Sequence, residues 1–220
     1  MVVKDNLELL YREIPPGVKI VAVSKTMPPD IILEAYHAGQ KVFGENKSQE
    51  LIYKQPLLPS DVQWHFIGHL QTNKVKYIAS FIEMIESADS LKLLQEIDKQ
   101  AARHGRNIKC LLQFHIATEE TKFGLDLEEA SEILSDPSFG LLKNITITGV
   151  MGMASFTDDM ALVRQEFRNL KSLLHQLKER FFADKPEFCE ISMGMTGDYR
   201  IAIEEGSTMV RIGTGIFGKR

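Results

Sequence analysis

The sequence predicts an α/β fold, a single (β/α)8 TIM barrel spanning residues 1–220, from three observations. Short apolar segments bounded by turn residues recur eight times along the chain. Several, notably Ile20-Val21-Ala22-Val23 and Cys110-Leu111-Leu112, are continuously apolar, as strands covered on both faces are. The stretches between them carry helix start and stop signals. Segment starts run from residue 18 to residue 208 and average about 27 residues per β-α unit, near the ~30 of a barrel. A doubly wound open sheet uses the same alternation, but eight parallel strands with no Gly-x-Gly-x-x-Gly after the first favour the barrel.

In order, the predicted strands are 18–24, 41–44, 62–67, 81–86, 108–115, 145–151, 188–193 and 208–212. The helix over 28–38 opens on paired prolines with an early Asp30 and stops at Gly39. Asp89 is placed to cap a helix carrying Leu91, Leu94 and Ile97 that ends at Gly105, and Thr196 to cap one that ends at Gly206. The longest runs over 159–182, with Phe167, Leu170, Leu174 and Leu177 on one stripe. Only eight residues follow the last strand, so the closing helix is expected to be very short and the amphipathic segment 5–12 to cover the barrel there.

Composition bounds the function. With 44% hydrophobic and 25% charged residues the chain reads as an ordinary globular protein, and its net charge of −4 with dispersed basic residues excludes a nucleic-acid surface. No apolar run approaches the ~18 residues of a membrane span, and charges interrupt the amino-terminal segment, so a cytoplasmic protein away from membranes is expected. The two cysteines, Cys110 and Cys189, lie in apolar strand-like stretches and read as reduced, buried core residues.

In a β/α barrel the functional groups stand at the carboxyl ends of the strands. Strand one exits on Ser24-Lys25-Thr26, strand two on Gly44-Glu45-Asn46 and strand three on Gly68-His69-Leu70-Gln71. Strand seven exits through Ser192-Met193-Gly194-Met195-Thr196-Gly197, and strand eight carries Arg211 into Gly213-Thr214-Gly215. These last two loops are glycine-rich and occupy the places where barrels commonly bind phosphate through backbone N–H groups. Lys25 follows four apolar residues, so its stem rises from the core while its amine enters the pocket mouth, where desolvation favours a nucleophilic amine. A lysine opposite a phosphate site points to a Schiff base with a phosphorylated carbonyl compound; pyridoxal phosphate fits, and so does an aldolase-type sugar phosphate.

Six ordered motifs over nearly the whole chain resemble a known family. They are Val21-Ala22-Val23-Ser24-Lys25-Thr26; Phe43-Gly44-Glu45-Asn46 with Gln49-Glu50; and Trp64-His65-Phe66-Ile67-Gly68 with Leu70-Gln71 and Asn73-Lys74. Then come Gly149-Val150-Met151; Ser192-Met193-Gly194-Met195 with Asp198; and Val210-Arg211-Ile212-Gly213 with Ile216-Phe217-Gly218. In these the chain is similar to the pyridoxal phosphate homeostasis proteins, which are related in fold to the amino-terminal barrel of alanine racemase. The resemblance implies pyridoxal 5'-phosphate (PLP) as cofactor, Lys25 as the carrier of its internal aldimine and Arg211 facing the pyridine nitrogen. It further implies Ser192, Gly213 and Thr214 at the phosphate, Asn46 beside the ring, and Met193 and Met151 as pocket walls. An arginine at the ring nitrogen disfavours its protonation and weakens the ring as an electron sink. The second β domain that supplies a tyrosine base in alanine racemase is not expected in these 220 residues. The implied function is therefore PLP binding, storage or delivery in vitamin B6 homeostasis, without established catalysis and with PLP-dependent apoenzymes as recipients. The chain departs from the family pattern at Met27, where many relatives carry a second lysine, and at His115, where an asparagine is usual. The segment from Phe114 through Glu120 and Lys122 to Gly124 accordingly carries the least weight.

Two other functional classes compete. A PLP-dependent amino-acid racemase or an aldolase would use the same lysine, with Tyr199 or His69 as base; a purely structural module would bind no small molecule. His65 and His69 are four apart, but they straddle a strand end, so no metal site is assigned. A monomer is expected in preference to a C2 dimer.

Overall fold

Continuously apolar strands need cover on both faces, and a closed ring of parallel strands wrapped by helices supplies it. The computed structural model describes residues 2–118 and 123–218; Glu120 and Lys122 lie outside the described residues. Its strands are β1 (Lys19–Val23), β2 (Val42–Glu45), β3 (Gln63–Phe66), β4 (Met84–Ala88), β5 (Ile108–Phe114), β6 (Ile145–Gly152), β7 (Glu190–Met195) and β8 (Met209–Ile212). All neighbours are parallel, and the ring closes in chain order through four register pairs between β1 and β8, Lys19 with Met209 to Ala22 with Ile212. The helices are α1 (Val2–Glu13), α2 (Pro29–His37), α3 (Ser48–Lys54), α4 (Val75–Ile78), α5 (Leu91–Arg103), α6 (Leu127–Ser135), α7 (Met160–Phe181), α8 (Tyr199–Glu204) and α9 (Thr214–Phe217). Among the described residues no helix is long and apolar enough to cross a membrane.

Alternation along each strand divides the core in two. Ile20 and Ala22 belong to the large cluster that seats the helices on the sheet, whereas Val21 between them belongs to a second cluster with Met84, Leu111, Met151 and Met209. That second cluster takes one residue from each of β1, β4, β5, β6 and β8 and fills the interior of the barrel. As expected, the closing helix α9 is only four residues long, and α1 packs over this side, with Asn6 Nδ2 donating to the Ile216 carbonyl at 2.9 Å.

Four expectations are corrected. The fourth strand starts at Met84 instead of 81, because Phe81 sits in a turn closed by its amide on the Ile78 carbonyl. Ser90 caps α5, its Oγ accepting from the Leu93 amide, while neighbouring Asp89 bonds His69. Thr196 does not cap α8; Asp198 holds the N-cap position, without a capping side-chain bond, and Thr196 accepts from the Gly215 amide. Cys189 is exposed, since it lies one residue ahead of β7 where the chain enters from the surface, whereas Cys110 is buried.

Two glycines permit irregular strands. Between Cys110 and Leu111 the register on β6 jumps from Ile147 to Gly149, leaving Thr148 as the extra residue of a bulge. A Cβ on Gly149 would stand 1.9 Å from the Glu190 carbonyl oxygen, so only glycine lets β6 approach β7 there. Gly194 has φ +95°, and its added Cβ would meet the Ala202 Cβ of α8 at 2.6 Å. Gly149→Ala is expected to cost about 3 kcal/mol and lower the melting temperature by about 10 °C. Gly140→Ala, where nothing lies within 4 Å, should melt within about 2 °C of wild type. Thermal unfolding followed by circular dichroism checks both.

Candidate functional site

The exit of β1 is a four-residue turn closed by the Met27 amide donating to the Ser24 carbonyl at 2.9 Å, with Lys25 and Thr26 at its centre. Lys25 is half-buried, between the buried strand below and the exposed Thr26. Helix α3 presents Glu50 and Lys54 to this turn, one helical turn apart on the same face. Lys54 Nζ donates to the Ser24 carbonyl (2.9 Å), to Glu45 Oε1 (2.8 Å) and to Glu50 Oε2 (2.9 Å), and Glu50 Oε2 also accepts the Thr26 amide at 2.7 Å. Burial pushes the Glu45 carboxyl above its ordinary value despite Lys54 and Ser24. At Glu50, burial is outweighed by Lys54 and the Thr26 amide, which together hold the carboxyl below its ordinary value. The neighbouring strand exits are packed tightly: a Cβ on Gly68 would stand 2.4 Å from the Asn46 carbonyl, and the buried Oδ1 of Asn46 has no hydrogen-bond partner.

Below the mouth lies a buried polar chain. Arg211 on β8, 4% exposed, donates from Nη1 to Ser192 Oγ at 2.6 Å and from Nη2 to the Gly152 carbonyl at 2.9 Å. Ser192 in turn donates to Glu86 Oε2 at 2.5 Å, and Glu86 Oε1 lies 2.7 Å from His65 Nδ1. Glu86 is fully buried, yet His65, Arg211 and Ser192 outweigh its desolvation and hold its carboxyl below the ordinary range. Burial lowers the Arg211 guanidinium from its ordinary value against the pull of Glu86 and Asp198. The chain therefore sets a guanidinium and a carboxylate 3.9 Å apart inside the barrel, with a serine hydroxyl between them.

The loops after β7 and β8 meet. Gly215 N–H donates to Thr196 Oγ1 at 3.3 Å, and Gly213 lies against Val23, its added Cβ 3.5 Å from the Val23 Cβ. A cavity of about 450 Å³ opens beside them between α1 and α8, lined in part by Asn6, Thr196, Gly197, Arg200 and Gly215. Neither Lys25 nor Arg211 lines it, so it is separate from the mouth.

The strand ends thus bring together Lys25, Asn46, Gly213 and Thr214 at the exits, with Ser192, Arg211 and Met151 beneath them; Met151 and Ser192 are register partners. Met193 is a correction: it lies on the opposite face of β7 from Ser192, in the cluster that faces the helices, and does not wall the interior. Ser192 gives its one hydroxyl proton to Glu86 and accepts from Arg211, so it has no proton left to donate to a phosphate. The two candidate bases are held elsewhere. Tyr199 is buried on α8, and His69 stacks on Phe123 with ring centroids 4.3 Å apart and bonds Asp89. Sequence reasoning missed the roles of Glu86, Glu50 and Lys54. For Glu86 the signal was a carboxylate directly after the apolar pair Met84-Ile85 of a strand, two positions from Met84 and so on the same face, where burial requires a partner. For Glu50 and Lys54 it was their spacing of four on a helix.

The chain as a whole matches known proteins. The family model described as alanine racemase, N-terminal domain, covers residues 2–220. A pyridoxal phosphate homeostasis protein of Aquifex aeolicus is 40% identical over 204 residues, spanning 92% of this chain and 87% of its own. The human protein of that name is 37% identical over 212 residues, 92% of this chain and 76% of its own. PipY of Synechococcus elongatus superimposes with a TM-score of 0.91 without PLP and 0.88 with PLP bound, at 34% identity, over 98% of this chain and all of that one. An alanine racemase of Clostridium difficile shares the fold, with a TM-score of 0.73 at 16% identity, over all of this chain and 57% of that one. A closed parallel barrel with a lysine at the exit of β1 and an arginine on β8, matched in fold and sequence over nearly its full length, places this chain in the alanine racemase N-terminal domain family, among the pyridoxal phosphate homeostasis proteins.

Proposed function

We propose that this protein binds PLP at the carboxyl end of its barrel and serves PLP homeostasis as a carrier or reservoir. The observation that carries the reading is Lys25 at the exit of β1 in a barrel whose interior holds Arg211 paired with Glu86, in a chain 34% identical to PipY, which has been solved with PLP bound. The residues present fit the group. Asn46 Oδ1 is a buried acceptor in need of a donor, which a ring hydroxyl offers, and Gly213, having no side chain, lets a phosphate come up to its backbone. PLP supplies an aldehyde and an electron-accepting ring. Lys25 holds it by attack of the Nζ lone pair on the aldehyde carbon, loss of two protons from nitrogen and departure of the carbonyl oxygen as water. Gly213 and Thr214 hold the phosphate, and Arg211 faces the ring nitrogen from the floor, where its fixed charge keeps a proton off that atom. Ser192 contributes by holding Arg211. A carrier role is favoured over turnover by the relatives that the chain matches at 37–40% identity, which are named homeostasis proteins. Delivery to PLP-dependent apoenzymes and a monomeric state belong to the same proposal.

Purified protein mixed with PLP should show a visible absorption band that borohydride removes, and mass mapping should find a phosphopyridoxyl group on Lys25. Lys25→Ala should lose both, and a Lys25→Ala protein with an unchanged band would refute the assignment. Deuterium exchange at Cα of amino acids by the loaded protein distinguishes a racemase-like enzyme, for which it should be rapid and lost in the Lys25 variant. Glu86→Gln leaves Arg211 buried without its counter-charge and is expected to cost about 3 kcal/mol at neutral pH in urea unfolding. Because the folded carboxyl titrates below its unfolded value, the contribution of Glu86 is present above the unfolded value and lost as pH falls through the folded one. The gap between wild type and Glu86→Gln should therefore narrow below about pH 4.

A further inference from the structure

We infer that Glu50 is a positioning residue for Lys25, holding the turn that carries the amine in a strained backbone conformation that the turn would otherwise leave. The inference rests on Lys25 as the amine that takes PLP. Thr26 has φ +64°, and among the described residues it is the one non-glycine residue with positive φ. With Lys25 before it at negative φ, the turn has the sign pattern of type II, whose third position glycine normally fills. A β-branched side chain is strained there. Rotation of a single peptide group, the one between Lys25 and Thr26, would carry the turn to type I, with negative φ at both central residues and no strain. That rotation changes ψ at Lys25 by about 150°, and backbone dihedrals decide which side-chain rotamers are open.

Helix α3 opposes the rotation. Lys54 Nζ holds the Ser24 carbonyl, the peptide group before the Lys25 Cα, and Glu50 Oε2 holds the Thr26 amide, the peptide group after it. Fixing both flanking peptide groups fixes both backbone dihedrals of Lys25. A rotated peptide would withdraw the Thr26 N–H from Glu50 and leave the carboxylate facing a carbonyl oxygen. Glu50 is itself anchored by Lys54 at 2.9 Å, and Lys54 by Glu45 at 2.8 Å, so the clamp is rooted in the fully buried carboxylate of β2. The Glu50 side chain is 25% exposed, which makes it replaceable without opening the core.

The test compares wild type, E50A, E50Q and the double variant E50A/T26G by PLP titration and by the rate of borohydride-trapped adduct formation on Lys25, with thermal melts alongside. E50A is expected to load PLP about tenfold more slowly or more weakly, the factor set by a backbone strain of ordinary size once the turn relaxes. E50A/T26G should recover to within about twofold of wild type, because glycine holds positive φ without the clamp. E50Q should retain most of the loading, since its amide oxygen still accepts from the Thr26 amide. Loading by E50A at the wild-type rate and affinity would overturn the inference, as would a defect that T26G leaves uncorrected, which would assign Glu50 a general structural part. Wild-type protein that forms no adduct on Lys25 would instead overturn the reading of Lys25 itself.

Discussion

Arg211 carries a permanent positive charge into the interior of the barrel, and much of the surrounding arrangement follows from accommodating it. A guanidinium with 4% exposure is tolerable only if its donors are met and its charge is balanced. The balance comes from Glu86 on β4, the strand directly across the ring from β8, and the donors are met by Ser192 on β7 and the Gly152 carbonyl at the end of β6. His65 on β3 completes the chain at Glu86. Four side chains from four strands and one backbone carbonyl from a fifth thus share one polar layer, and the apolar cluster of Val21, Met84, Leu111, Met151 and Met209 fills the interior with it. The layer is rigid because each member is committed to another. The single proton of Ser192 is committed to Glu86, and its oxygen accepts from Arg211.

A second polar group stands outside the ring of strands. Glu45, Glu50 and Lys54 lie between β2 and α3 and grip the backbone of the turn after β1, whereas the Arg211 layer lies inside the barrel. The two groups approach the mouth from opposite faces of the sheet. One sets the charge inside the barrel; the other holds the backbone from which the lysine extends. Neither depends on long surface loops, so both are held by strands and a helix that the rest of the core already fixes.

The eight strands were legible because strands buried on both faces leave uninterrupted apolar runs, and Lys25 and Arg211 were legible because each follows or sits in such a run near its exit. That the loops after β7 and β8 stand side by side was legible from their places at neighbouring strand exits. What escaped was set by partners distant in sequence. Glu86 meets Ser192 across 106 residues, a pairing that only barrel closure creates. The caps of α5 and α8 went to neighbours of the expected residues, because Asp89 and Thr196 each found a partner in another loop. The assignment of Met193 as a wall overlooked the alternation that, with Ser192 facing inward, turns the next residue outward. The clamp on Lys25 was hidden in an unremarkable motif, Gln49-Glu50, whose role depends on where α3 lies.

The seam between β1 and β8 joins the two ends of the described chain, and Asn6 reaches across 210 positions of sequence to bind Ile216. Loop-closure entropy rises with the logarithm of the separation, so among the neighbouring strand pairs this seam carries the largest closure cost. Lys25 projects from one side of that seam, and Arg211, Gly213 and Thr214 from the other. A ligand that bridges them therefore acts as a cross-link over the longest loop in the chain. Its binding free energy adds directly to the cohesion of the closed ring. The same ligand would oppose any local opening of that seam.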